Sequence, residues 1–161
     1  MADDYFAQLV GDALKAYGGE ILKFIGDGLL AIFPVADPSE AARAASSALE
    51  AARETHRALT ERRARALTDA EPALDVVIAL HYGAVVYGNI GAADRLDFTV
   101  IGPAVNLVSR IETIAKSLNL PLVVSDNFAE VYGKELPSLG RHKLNGLEQP
   151  HELFAPLGIP I

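Results

Sequence analysis

The chain has 161 residues, half of them apolar and 22% charged, so it can bury a core and is expected to form one domain over 1–161. Twenty-one acidic against fourteen basic residues give a net charge of −7, which argues against a general nucleic-acid or anionic-membrane binder and leaves room for a local phosphate pocket. The absence of cysteine excludes disulfides and Cys-ligated metal centres, no apolar run reaches the roughly 18 residues of a membrane span, and the acidic opening MADDYFAQLV is unlike a signal peptide. A cytoplasmic, soluble protein without a membrane segment is the expectation.

In chain order, Phe6, Leu9, Val10, Ala13, Leu14 and Tyr17 recur at helical spacing, with Asp3 or Asp4 as cap and Gly18-Gly19 as a left-handed stop. EILKFIGDGLLAIFP, residues 20–34, reads as a hairpin around Gly26-Asp27-Gly28. Residues 39–67 form the longest predicted helix, with Ser39 as cap and the Arg62–Arg65 run as a solvated face or a docking patch. LDVVIAL (74–80) and AVVYGNI (84–90) read as two strands of a second hairpin joined through His81-Tyr82-Gly83. FTVI then leads through Gly102-Pro103 into a helix over 104–118, followed by the buried strand LPLVVS (120–125). Asp126 is the expected cap of a short helix ending near Gly133, and two strands, around 141–144 and 152–157, close the chain about Asn145-Gly146. Interleaved helices and hairpins predict an α+β fold with a mixed, largely antiparallel sheet.

No G-x-S-x-G, P-loop, H-E-x-x-H or G-x-G-x-x-G is present, and His56, His81, His142 and His151 lack ligand spacing. His81, at a strand end, reads as a structural hydrogen-bonding residue. Asp27, between two glycines, is either ordinary turn chemistry or a carboxylate that holds a divalent cation beside phosphates. Lys23 lies in an apolar strand and either faces solvent by alternation or serves a site near the tip. Asn106 and Arg110 stand i, i+4 on one helix. They form a solvated face or a pair suited to a sugar hydroxyl and a phosphate, the amide orienting the one and the guanidinium fork donating to the other.

Together, GGEILKFIGDGLLAIFP (18–34), ALHYGAVVYGNIG (79–91) and DFTVIGPAVNLVSRIE (97–112) resemble, in order, the class III nucleotide cyclase catalytic domain, the family of adenylate and guanylate cyclases. The closing LGRHKLNGLEQPHELFAPL is similar to that family's last hairpin. The resemblance implies a ferredoxin-like βαββαβ fold and a head-to-tail homodimer with nucleotide sites across the interface. It also implies Mg²⁺ or Mn²⁺ as cofactor and attack of a ribose 3′-hydroxyl on the α-phosphate of the substrate. By the same resemblance Asp27 is a metal ligand, while Lys23 and Thr99 read the purine, the lysine implying ATP. Asn106 orients the ribose and Arg110 stabilises the α-phosphate in this picture. The family's first strand, with another metal aspartate, would stand upstream of the first helix here, so the expectation is an N-terminally incomplete domain. A further regulatory or sensor domain is expected outside residues 1–161.

The closing hairpin of the family carries a triphosphate-binding lysine where this chain has Asn145, with Lys143 two residues back as a substitute on the same strand. That departure supports an alternative, a catalytically impaired cyclase-homology module that binds nucleotide or dimerises. Gly18-Gly19-Glu20 echoes the GGDEF signature of diguanylate cyclases, but that signature forms a hairpin tip, which here is 26–28. An RNA-binding ferredoxin-like domain would need sheet aromatics and a basic surface, which six Phe, five Tyr and no Trp at −7 do not supply.

Overall fold

The structure is a computed structural model describing residues 2–25, 28–69, 76–90, 97–144 and 149–156, with side chains except at 2–7, 23, 25, 63, 65–69, 86–90 and 97–101. Its elements are α1 (Ala2–Ala16), β1 (Glu20–Ile25), β2 (Gly28–Ile32), a 3₁₀ turn (Pro38–Glu40), α2 (Ala41–Asp69), β3 (Ile78–Leu80) and β4 (Val86–Ile90). They continue with β5 (Asp97–Ile101), α3 (Pro103–Ser117), β6 (Leu122–Ser125), α4 (Asp126–Tyr132), β7 (Ser138–His142) and β8 (His151–Phe154). The α+β expectation holds. Among the described residues the strands form three sheets: the β1–β2 hairpin, the β4–β5 hairpin and a four-stranded sheet ordered β3-β6-β8-β7.

The four-stranded sheet is built on β6, all four of whose residues are buried. Its alternation splits the core in two. Leu122 and Val124 face α2 and α4, where they pack with Ala45, Ala48, Leu49, Ala52 and Phe128. Val123 faces the other way, into a cluster with Ile111 and Ala115 of α3, Leu144 and Leu153. The same alternation runs through β3, with Ile78 and Leu80 on the α2 side and Val77 and Ala79 on the α3 side. Most of the buried positions of α2 are alanines, and the helix packs against α1 and α4 as well as the sheet.

Several local expectations change. β3 and β4 are not a hairpin. β3 pairs in parallel with β6, whereas β4 pairs antiparallel with β5. The physical reason is burial: β3 gains apolar neighbours on both faces beside β6, and residues 81–85 carry the chain across to the other ladder. The 3₁₀ turn before α2 is capped by Asp37, whose Oδ1 accepts the Ser39 N–H at 3.0 Å, with Pro38 in the first turn. Ser39 is therefore the donor and not the cap. Likewise Ser125, one residue before Asp126, caps α4 by accepting the Phe128 N–H at 3.0 Å. Asp3 and Asp4 already lie within α1, at first-turn positions that suit carboxylates. Gly18 ends that helix with φ of +88° as expected, and the Gly19 N–H returns to the Leu14 carbonyl at 2.8 Å.

Candidate active site

The helix α3 begins where backbone meets backbone. Gly102 has φ of +143°, and a Cβ there would stand 3.1 Å from the Ala84 carbonyl oxygen, so only glycine fits without strain. Pro103 then fixes the first turn without wasting an N–H. Ile111 and Ala115 are buried against the sheet, with Leu107 and Ile114 packed beside them. That anchoring leaves Asn106 exposed and Arg110 half-buried on an adjoining stripe, about 6 Å apart along the helix axis. A half-buried guanidinium beside an exposed amide is well placed to meet a ligand that carries both phosphate and hydroxyl groups.

Lys23 and Thr99 lie on β1 and β5, and these two strands pack against each other although they belong to different ladders. Thr99 stands opposite Gly88 of β4, and Lys23 opposite Leu30 of β2. A bulge interrupts β1 just before Lys23: Ile21 faces Ala31 but Lys23 faces Leu30, so Leu22 is the extra residue. Such a bulge breaks two-residue alternation, the pattern on which a solvent-facing Lys23 would rest, and is a common way to re-aim a strand beside a site. Asp27 and Asn145 lie outside the described residues. Lys143 is exposed but stands past the end of β7 and not on its strand, because the ladder with β8 closes at His142 and His151. Its neighbour Leu144 is fully buried in the α3 cluster, which brings this stretch against the helix carrying Arg110.

Among the described residues, no group of three or more His, Asp or Glu side chains is arranged to hold a metal ion. The sequence did not announce a polar cluster at the ends of β3, β6 and β8. There His81 Nδ1 lies 2.7 Å from the Ser125 hydroxyl, and His151 Nδ1 lies 3.3 Å from Asp126 Oδ1. Ser125 has no exposed surface. Burial pushes the His81 imidazole below its ordinary pKa, the nearby Asp126 opposing that shift and His151 reinforcing it. The structural hydrogen-bonding role expected of His81 is what the fold displays. His56, on α2, is also buried, donating from Nε2 to the Pro121 carbonyl at 2.8 Å.

The sequence profile of the Adenylate and Guanylate cyclase catalytic domain matches residues 5–146, most of the chain, from within α1 to past the end of β7. The chain belongs to this family. As a cyclase domain it spans about a quarter of the length of the curated relatives it matches. An uncharacterized protein of Mycobacterium tuberculosis is 35% identical over 158 residues, covering 96% of this chain and 27% of that protein. An adenylate cyclase of Anabaena cylindrica is 34% identical over 125 residues, covering 78% of this chain and 24% of the relative. Among solved structures, the adenylyl cyclase CyaB from P. aeruginosa is similar with a TM-score of 0.80 at 21% identity, over 94% of this chain and 78% of that one. The guanylyl cyclase Cya2 is similar with a TM-score of 0.77 at 25% identity, over 98% and 79%. The family assignment thus covers both purine specificities. Among the described residues no helix is long and apolar enough to cross a membrane.

Proposed function

We propose that residues 1–161 form one catalytic domain of an adenylate cyclase, converting ATP to 3′,5′-cyclic AMP and pyrophosphate in intracellular signalling. The observation that carries the reading is the α3 stripe of Asn106 and half-buried Arg110 on a domain of the cyclase family. In the reaction the ribose 3′-oxygen forms a bond to the α-phosphorus as it gives up its proton, and the bond to the β-phosphate oxygen breaks to release pyrophosphate. Asn106 would orient the ribose, so that the attack is positioned before it begins. Arg110 would donate its fork to the α-phosphate oxygens as charge gathers there. Lys23 and Thr99, on the adjacent strands β1 and β5, would read the adenine edge, the ammonium donating to a ring nitrogen. Lys143 and Asn145 would meet the triphosphate. Asp27, by its hard carboxylate, suits Mg²⁺ or Mn²⁺, which when bound neutralises phosphate charge. A head-to-tail homodimer, a cytoplasmic location and a regulatory domain elsewhere in a longer protein complete the proposal.

Asn145, neutral where the family's closing hairpin has lysine, favours a second reading, a cyclase-homology module that binds nucleotide or dimerises without turnover. One assay separates the two. Cyclic AMP and cyclic GMP are measured from Mn²⁺·ATP and Mn²⁺·GTP with the purified chain, Asp27→Ala and Lys23→Glu. The enzyme reading expects cyclic AMP that vanishes in Asp27→Ala and an ATP preference that weakens in Lys23→Glu. Nucleotide binding without product from the unaltered chain overturns it in favour of the second reading. An unchanged ATP/GTP ratio in active Lys23→Glu removes the base-reading role.

A further inference from the structure

The crossing from β3 to β4 is held at its first residue. Alternation along β3 puts Val77 and Ala79 toward α3, and His81 continues that series; Val123 and Ser125 form the matching series on β6. The two meet in the 2.7 Å contact between His81 Nδ1 and the Ser125 hydroxyl. Ser125 Oγ already accepts the Phe128 N–H, and the residue is cut off from water. The assignment that leaves no buried hydroxyl hydrogen without a partner has Ser125 donating to Nδ1, with the imidazole proton on Nε2. The Nε2 edge of the ring faces Gly83, where an added Cβ would lie 3.0 Å from Nε2 and 2.8 Å from Ala104 Cβ in the first turn of α3. One residue on, the Ala84 carbonyl backs the Gly102 turn that opens the same helix. His81 and Ala104 therefore both flank Gly83, between the end of β3 and the start of α3.

We propose that His81 is a positioning residue for the cyclase reaction: tied through Nδ1 to Ser125 and with its other edge lying beside Gly83, it fixes the crossing that seats α3 and so aims Asn106 and Arg110. This rests on the cyclase reading above. His81 touches neither reacting group and acts through the helix start. Its neutral form is the one that accepts from Ser125. A proton on Nδ1 would point at Oγ and leave the Ser125 hydroxyl hydrogen with no acceptor, loosening the anchor and the α4 cap together. The titratable and charged groups that face His81 among the described residues are Asp126 at the start of α4 and His151 on β8, which engage each other. Because burial lowers the His81 pKa, the unfolded chain binds more protons in mild acid. The contribution to stability is thus complete above the usual imidazole range and declines as pH falls through about 6.5.

The test uses the unaltered chain, His81→Asn, which keeps an acceptor near the Nδ1 position but does not titrate, and His81→Phe, which keeps a ring without an acceptor. Hydrogen exchange of amides 107–111, corrected for the intrinsic pH dependence of exchange, is followed from about pH 7.5 down to about pH 4.5, reaching below the ordinary imidazole range because burial lowers the His81 pKa. Cyclic nucleotide formation is measured alongside. We expect protection in α3 to fall with pH in the unaltered chain, to stay flat in His81→Asn, and to be low at every pH in His81→Phe. In the same variants kcat should drop roughly 10- to 100-fold for His81→Phe, from misplacement of the helix, and should lose its acid limb in His81→Asn. Protection that ignores pH in the unaltered chain, or falls equally in His81→Asn, overturns the proposal. If His81→Phe does not fold, the other two proteins still decide it. Should no protein form product while α3 protection follows His81 as described, the cyclase reading fails and the seating role of His81 survives. Product with an acid limb that persists in His81→Asn is the reverse outcome.

Discussion

The four-stranded sheet and the two hairpins teach opposite lessons about how this domain divides its work. In the sheet, β6 is buried on both faces, and helices α2 and α4 on one side and α3 on the other complete two separate apolar clusters. In the β1–β2 hairpin every described residue from Gly28 to Ile32 is only half-buried, and Phe24 is 61% exposed. Two-stranded ladders of this kind are marginal unless something covers them. Yet Lys23 and Thr99, the residues proposed to read the purine, stand on the two hairpins, and Asn106 and Arg110 stand on a helix packed on the sheet. On the proposed reading, phosphate and sugar chemistry would stand on the buried part of the fold and base selection on the half-buried hairpins.

The contrast is most sharply tested where burial is complete. Leu49 has no exposed surface and fills the cluster between α2 and β6. Leu49→Ala should lower the unfolding free energy by about 2–5 kcal/mol, because it removes the apolar contacts and leaves a cavity in a close-packed layer. Urea denaturation followed by circular dichroism measures this directly. A loss below about 1 kcal/mol would mean that the α2 layer can collapse into the space, and the sheet would be less rigid than its burial indicates.

A smaller effect is expected at the polar joint of the same sheet. Ser125→Ala deprives the Phe128 N–H of its cap and His81 of its donor, so a loss of about 1–2 kcal/mol follows from the cap alone. Its signature is pH dependence. With Ser125 gone, lowering the pH through the imidazole range should cost less additional stability than in the unaltered chain. A variant as stable as the original would show that the 2.7 Å contact contributes nothing and would separate His81 from the sheet.

What was legible in the sequence follows the same division. The 3.6-residue periodicity of 6–17 and 104–118, the glycine after α1 and the apolar run at 120–125 each report local burial, and the helices and β6 fall where they indicate. Pairing was less legible. The run 74–80 is β-branched whether it folds back on 84–90 or lies beside β6, and only the tertiary burial available next to β6 decides the matter. Caps were displaced by a residue or two for a related reason. Asp37, Ser39, Ser125 and Asp126 are all competent acceptors, and the choice between neighbours depends on where the preceding strand or turn releases the chain. Of the site, the Asn106–Arg110 spacing was readable because a helix converts it into a shared face. The meeting of His81 with Ser125 joins residues 44 apart in sequence and leaves no periodic trace. The Leu22 bulge likewise has no signature in the sequence of β1, where one charged residue, Lys23, follows it among apolar neighbours.

The least effect is expected at Phe24, and it bears on what the hairpin is for. A phenylalanine 61% exposed on a two-stranded ladder contributes little packing within one chain. Phe24→Thr keeps a residue that favours extended backbone and should change the unfolding free energy by no more than about 0.5 kcal/mol at low protein concentration. The informative variable is concentration. If the proposed homodimer covers the hairpin, the unaltered chain should gain stability as concentration rises, and Phe24→Thr should lose that gain, because burial of an aromatic ring is driven by association. A stability deficit in Phe24→Thr that is the same at every concentration would place the covering surface within the chain itself. The contrast between a self-sufficient sheet and a hairpin awaiting a partner would then dissolve.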